Sequence, residues 1–295
     1  MPRVGADEHQ LAQSPVRGTR NACDVGHCHG VSSTQEKSWR AGRFWWDCSQ
    51  PETSAHPLRA VILDLDALSD LDVDGHRVVF NAAFAAHGLP IEWGVARYQQ
   101  LLALHDEHQR VTAELRKRCV GPDCDVLTAV LADEICMTKD LMFDEMILDA
   151  GLTPRSGLED LMNDAFLAGL PVGVVAAGRR RWAEPLVRQL VGDGLVETVV
   201  TTDDVSAAGA DLYRHALAEL GVAGHDALAM VGSAKGLRAA NAAGMAGVLI
   251  DPDAGAVSPG AVAVRPDFAG ADALRLPVCQ RLHTQWWMQR SPSAA

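Results

Sequence analysis

The chain has 295 residues, and 26 Lys and Arg against 38 Asp and Glu give a formal charge of −12 with histidines neutral. That balance excludes a protein that grips nucleic acid through a broad basic surface. With 48% hydrophobic and 22% charged residues the chain has ordinary globular composition, which excludes wholesale disorder and leaves room for one large domain or two smaller ones.

No run approaches the roughly 18 consecutive apolar residues of a membrane span. The opening residues, Met1 to Glu8, carry no apolar stretch after Arg3, so they do not read as a secretory signal. The expectation is a soluble, cytoplasmic protein with neither a membrane nor a nucleic acid as partner. The seven cysteines, at positions 23, 28, 48, 119, 124, 136 and 279, are odd in number and scattered, so reduced thiols are expected rather than a disulfide framework.

Residues 1–57 hold neither a period of 2 nor one of 3.6 and are expected to form a poorly ordered N-terminal extension. Within it, Cys23, His27, Cys28 and His29 have the residue types of a zinc site, but no second tight Cys/His pair faces them, and incidental thiols on a tail are the simpler reading. The cluster Trp39, Phe44, Trp45 and Trp46 serves either to dock this segment or to meet a protein partner.

At residues 58–66 the texture changes to a short β-branched run ending in acids, the pattern of a buried parallel strand. From 75 to 149 apolar positions such as Val79, Phe80, Ala83 and Phe84 recur at three and four residues, which predicts a helical insert. Beyond Pro154-Arg155-Ser156-Gly157 the chain alternates helix and strand. Strands are predicted at 172–177, 197–201, 227–231 and 247–250, with helices at 158–168, 182–191, 211–220 and 236–243. Such alternation implies right-handed crossovers and an α/β fold with a doubly wound parallel sheet, whose ligand sits at the carboxyl ends of the strands.

Asp64 and Asp66 stand two residues apart at the carboxyl end of the first strand, so both carboxylates can face one pocket. Together with the order of elements, several stretches carry a resemblance. They are residues 74–84, Thr202-Asp203-Asp204-Val205, Tyr213-Arg214-His215-Ala216-Leu217, residues 236–245 and residues 267–272. Over roughly residues 58–280 the chain resembles the haloacid dehalogenase (HAD) superfamily, in its branch of CbbY- and β-phosphoglucomutase-like sugar-phosphate phosphatases and mutases. The resemblance implies a Rossmann-like core from residues 58–74 and 151–280, a mobile helical cap at 75–150 that excludes water from the site, and a C-terminal tail at 281–295. It also implies that Asp64 is the nucleophile, that Asp66 is the general acid and base, and that both help hold Mg²⁺.

Three later positions depart from the family pattern. Ala176 stands where a Ser or Thr holds the phosphoryl group, and Ala207 where a Lys offsets its charge. Val231 and Gly232 stand where an acidic pair completes the Mg²⁺ site. A fourth departure comes directly after the first motif, where Ala67-Leu68 replaces the usual Gly-Thr. Phosphoryl transfer is catalysed by positioning and charge stabilisation, so these groups are the machinery itself. Without a cation, two close carboxylates also repel, so one should hold its proton near neutrality.

Candidate replacements are Arg179 and Arg180 of the run 179–181, at a helix start, and Lys235, before the last core helix, each set against the reading of a surface charge. His76 and Arg77 open the cap, where they either grip a phosphosugar or satisfy a local helix start. Asp203 and Asp204 either reach the rim or cap a helix, and Cys119 and Cys124 read as a chance pair. Trp286 and Trp287 are expected to pack on the core or on residues 39–46. Three functions follow: a weakly active or inactive phosphatase-like protein with decayed machinery that retains a binding cleft, with a small phosphorylated metabolite as ligand, or a regulatory surface; an active phosphomonoester hydrolase or phosphotransferase with substituted cations; and an interaction protein working through residues 1–57 and 280–295.

Overall fold

The computed structural model describes residues 39–40, 43–44, 56–120, 124–207, 209–252 and 257–290. The chain forms two units, residues 1–51 and 52–295. Of the first, the described part is a two-residue antiparallel ladder, Trp39–Arg40 against Arg43–Phe44. The run from Cys23 to His29 lies outside the described residues.

The second unit is built on six parallel strands: β1 (Ala60–Asp64), β2 (Val172–Val175), β3 (Thr198–Val200), β4 (Ala227–Val231), β5 (Ala246–Ile250) and β6 (Ala263–Arg265). Their spatial order is β3-β2-β1-β4-β5-β6. The order reverses direction at β1, so the crevice for a ligand opens at the carboxyl ends of β1 and β4. Strand alternation divides the core in two. Val61 and Leu63 face one layer, with Leu161, Leu186, Cys279 and Trp286, while Ala60 and Ile62 face the other, with Leu212, Ala216 and Leu237.

The first layer is covered by α6 (Leu158–Leu167), α7 (Arg180–Val191) and α10 (Leu276–Arg290), and the second by α8 (Ala210–Leu220) and α9 (Ala234–Ala242). β6 and α10 go beyond the sequence expectation. Leu276, Cys279, Leu282 and Trp286 recur at helical spacing and are buried, so residues 281–290, expected as a C-terminal tail, continue a docked helix whose Trp286 packs in the core and Trp287 partly against the same layer.

Between β1 and β2 the chain inserts α1 (Leu65–Leu68), a π-helical turn (Leu71–His76), α2 (Arg77–Ala86), α3 (Val95–Leu101), α4 (Glu107–Arg118) and α5 (Asp125–Met146). These helices have a core of their own, in which Phe80, Phe84, Trp93 and Tyr98 pack as an aromatic group around Val111, Leu115 and Ile135. Side chains fix two starts within the insert: the Asp70 carboxylate accepts the Val73 N–H at 3.1 Å, and Asp106 caps α4 by accepting the Gln109 N–H at 2.7 Å. No helix among the described residues is long and apolar enough to cross a membrane. Cys119, Cys124, Cys136 and Cys279 are free thiols, and burial raises the pKa of both Cys136 and Cys279 to about 12.

Candidate functional site

Asp64 ends β1 and opposes Val175 of β2 in the ladder, which fixes its height at the carboxyl edge of the sheet. Its side chain is 8% exposed. The Tyr213 hydroxyl of α8 donates to Asp64 Oδ2 at 3.1 Å. Burial raises the Asp64 carboxyl to about 6; the Tyr213 hydroxyl, the main-chain N–H groups of Asp66 and Leu65, and the charge of Lys235 pull the other way. Asp66 is held well above the ordinary carboxylate range, first by burial and then by the charges of Asp64 and Asp72, against Arg155 and Lys235. The raised carboxyl expected from repulsion is therefore present, but loss of hydration is its larger cause. Burial, with the neighbouring Asp64 charge, also raises Tyr213 well above its ordinary value, so the hydroxyl stays a donor.

The other wall is the first turn of α9. Ser233 caps this helix, its Oγ accepting the Gly236 N–H at 3.1 Å. At Gly236 a Cβ would lie 2.5 Å from Asp64 Oδ2, so glycine lets the helix approach this carboxylate without displacing it. At Gly232 a Cβ would lie 2.4 Å from the Asp66 main-chain carbon and oxygen. Val231 is fully buried at the end of β4. These two positions therefore offer no side-chain oxygen to the site, and Lys235 enters it instead.

Asp64, Asp66, Tyr213, Ser233, Lys235 and Gly236 line a cavity of about 120 Å³, whose remaining wall includes Ala177 and Gly209. Asp66, Ser233 and Lys235 also line a wider cleft of about 780 Å³. The insert closes one side of that cleft with Gln99, Leu102, His105 and Arg110, and the core closes the other with Arg155, Arg238 and Asp251. Four cationic side chains, Arg110, Arg155, Lys235 and Arg238, thus face Asp66, Asp70, Asp72 and Asp251. The Nε atoms of Arg110 and Arg155 are buried without a hydrogen-bond partner. Sequence reasoning missed both arginines. Arg155 had a signal, its place in Pro154-Arg155-Ser156-Gly157, whereas Arg110 is one polar position among many on α4.

The structure brings Asp64, Asp66 and Lys235 together. Arg179 and Arg180 line neither cavity. Arg179 Nη1 pairs with Asp144 at 3.4 Å, and Arg181 Nε with the same carboxylate at 3.3 Å. Arg180 donates to Asp204 Oδ2 at 2.6 Å and to the Val199 carbonyl at 2.9 Å. The acids after β3 explain this arrangement: Asp203 accepts the Arg180 main-chain N–H at 2.8 Å, and Asp204 accepts from both Thr201 N–H and Thr201 Oγ1, so together they clamp the start of α7.

His76 and Arg77 also stand outside both cavities. Arg77 ties the π-helical turn to the insert by donating to the carbonyls of Val73 and Trp93 at 2.9 and 3.1 Å. The His76 ring stacks on Phe143 with centroids 4.4 Å apart, and burial, with Lys139 and Arg110 adding, pushes its pKa well below the ordinary value. Its side chain makes no cap hydrogen bond at the start of α2.

The HAD-like hydrolase family matches residues 53–244. The chain belongs to the haloacid dehalogenase-like hydrolases. Within this family it is 31% identical to CbbY of Cereibacter sphaeroides over 222 residues, covering 74% of this chain and 91% of that one. It is 28% identical to a CBBY-like protein of Arabidopsis thaliana, covering 77% and 71% of the two chains. Among solved structures, CbbY from Rhodobacter sphaeroides in complex with phosphate is similar with a TM-score of 0.57 at 26% identity, covering 75% of this chain and 99% of that one. A mutant of the same protein in complex with xylulose-(1,5)bisphosphate gives 0.57 at 25% identity, covering 76% and 99%. The β-phosphoglucomutase-like structure from Thermotoga maritima, at 18% identity and a TM-score of 0.52, shares the fold. HAD-like hydrolases generally use Mg²⁺. In this chain the described residues that bring three His, Cys, Asp or Glu side chains to one place include neither Asp64 nor Asp66.

Proposed function

We propose that this chain binds a small phosphorylated metabolite of the sugar-phosphate class in the cleft between core and insert, without Mg²⁺ and with little or no turnover. One observation carries this reading: the groups around Asp64 and Asp66 do not fit the divalent ion. The end of β4 supplies a buried Val231 and a Gly232 pressed on the Asp66 main chain, and the added side chain near the carboxylates is the ammonium of Lys235. Mg²⁺ needs near-octahedral oxygen coordination. A lysine among the carboxylates repels it and serves as the counter-charge itself.

Anion binding without metal is electrostatically reasonable here. Desolvation holds Asp66 well above its ordinary range, which favours the protonated form as a donor to a phosphate oxygen. The guanidinium groups of Arg110 and Arg155, two residues that line the cleft, are suited to the same oxygens. The insert acts as the cap of this cleft, and a sugar bisphosphate, the ligand of the CbbY mutant structure, is the natural first probe. Turnover is another matter. Losing one transition-state donor costs about 2.7 to 4 kcal/mol, and positions 176, 207 and 231–232 lack a phosphoryl-holding hydroxyl, a lysine and an acidic pair together.

Calorimetric titration with xylulose 1,5-bisphosphate and with inorganic phosphate, each with Mg²⁺ and with chelator, tests the reading alongside a phosphate-release assay. The expected result is binding that the chelator leaves unchanged, weakened about tenfold or more by Lys235→Met or Arg155→Ala, with release equal to that of Asp64→Asn. Mg²⁺-dependent release of phosphate that Asp64→Asn abolishes would establish the active-hydrolase alternative, and absence of binding to either probe would refute the cleft assignment.

A further inference from the structure

At the opposite end of the strands from Asp64, a second cluster of polar side chains stands outside the site just described. His225 and Asp226 belong to the 3₁₀ turn Gly224–Asp226 that leads into β4, and His56 lies four residues before β1. Because β1 and β4 are parallel neighbours with Ala60 opposite Ala227, these two lead-ins arrive side by side at the amino edge of the sheet. We infer that His56, His225 and Asp226 form a binding site for one divalent transition-metal ion of the zinc class.

Distance is the first argument. One ligand atom from each of the three residues lies within 4.8 Å of the others. His56 Nδ1 is 3.8 Å from Asp226 Oδ1, and His225 Nε2 is 3.6 Å from the same oxygen. Both separations exceed a normal N–H···O hydrogen bond. A tetrahedral ion with bonds of about 2.0–2.1 Å holds its ligand atoms roughly 3.3–3.4 Å apart. The two N···O separations need to close by a few tenths of an ångström, and the two imidazole nitrogens, within 4.8 Å of each other, by a rotation of the exposed rings.

The second argument is the platform. The Asp226 carbonyl accepts the Arg59 N–H at 2.7 Å, and its own N–H donates to the Ala223 carbonyl at 3.0 Å, so the turn is tied to the lead-in of β1. Gly224 packs so closely that a Cβ there would lie 2.4 Å from the Ala243 carbonyl. The His225 carbonyl accepts a hydrogen bond from Nε2 of His283 on α10 at 2.9 Å. The two imidazoles meet edge to face with centroids 4.5 Å apart, and the indole of Trp287 stands 5.5 Å from the His56 ring and 6.5 Å from the His225 ring. Main-chain hydrogen bonds therefore hold the segments that carry the ligands, and ring packing orients the imidazoles, before any ion arrives.

Ligand chemistry selects the ion. Two imidazoles and one carboxylate suit Zn²⁺ and its first-row neighbours, whereas Mg²⁺ and Ca²⁺ prefer all-oxygen sets. Three protein ligands leave one position for water. With side chains 37% and 48% exposed, His56 and His225 let the ion reach the site from solvent. Once bound, it clasps the entry of β1 to the entry of β4, a role independent of the Asp64 cleft.

Zn²⁺ titration of the full chain against a chromophoric chelator, paired with thermal melting at increasing Zn²⁺, tests this. One equivalent is expected at the site, with a rise in melting temperature. His225→Ala and His56→Ala should each weaken it at least tenfold, since loss of an outer-shell partner alone typically costs 10- to 100-fold, and should remove the Zn²⁺-dependent rise. The exposed position of His225 keeps its variant folded, which the melt in chelator verifies. The combined variant Cys23→Ser, His27→Ala, Cys28→Ser, His29→Ala separates the N-terminal thiols and imidazoles. Retention of the His225-dependent equivalent in it supports the site. Loss of all Zn²⁺ binding in it, or unchanged binding in His225→Ala and His56→Ala, overturns the inference.

Discussion

Asp64→Asn should make the protein more stable at neutral and alkaline pH. Its carboxyl is raised from 3.8 to about 6, chiefly because the folded chain strips water from it. At about 1.4 kcal/mol per pH unit this interval corresponds to roughly 3 kcal/mol, an upper bound because Asp66 shares the same pocket. The native carboxyl binds its proton more tightly than the unfolded chain does. Stability from this group is therefore complete below pH 3.8, falls as pH rises, and is lost above about 6, where the buried charge is carried in full.

Asparagine keeps the shape, still accepts the Tyr213 hydroxyl and carries no charge. A gain of about 1 to 3 kcal/mol at pH 8, or about 2 to 10 °C in melting temperature for a domain of this size, is expected. By linkage roughly half of that gain is gone at pH 5. Thermal and urea unfolding of both proteins at pH 5 and pH 8 measure it. A variant less stable than the parent at pH 8, or a gain that does not change with pH, would refute the claim that desolvation dominates at Asp64.

Two further outcomes follow from the same geometry. Gly232→Ala places a Cβ against the Asp66 main chain, which has no flexible end to give way, and should lower stability by about 1 to 3 kcal/mol in urea unfolding; a neutral result would mean that β4 and β1 are less closely apposed than 2.4 Å requires. Arg180→Ala breaks a half-exposed network with Asp204 and Glu184, so a loss of up to about 1 kcal/mol is expected with sugar-phosphate affinity unchanged by calorimetry. A fall in affinity would return Arg180 to the binding site.

Much of the fold was legible from residues alone, because periodicity reports local geometry. The five apolar runs from 58 to 250 became β1 to β5, and the helical spacing of Val79, Phe80, Ala83 and Phe84 became the buried face of α2. Asp64 and Asp66 were legible because strand alternation and the switch at β1 direct a carboxyl-end pair into one crevice. β6 and α10 escaped. Ala263–Arg265 is too short to show a period, and the buried face of α10 is interrupted by Gln, Arg and Thr that point to solvent.

What only the tertiary structure decided was which charges meet. Arg179, Arg180 and Lys235 look alike in sequence, yet the acids after β3 and Asp144 of α5 take the first two, and the close approach allowed by Gly236 brings the third to Asp64. Arg110 and Arg155 reach one cleft from positions 45 residues apart, and His56 meets His225 across the sheet edge. Local pattern records how a segment folds against the core; the long-range pairing that assembles a polar site depends on chain crossings, whose positions no local period encodes.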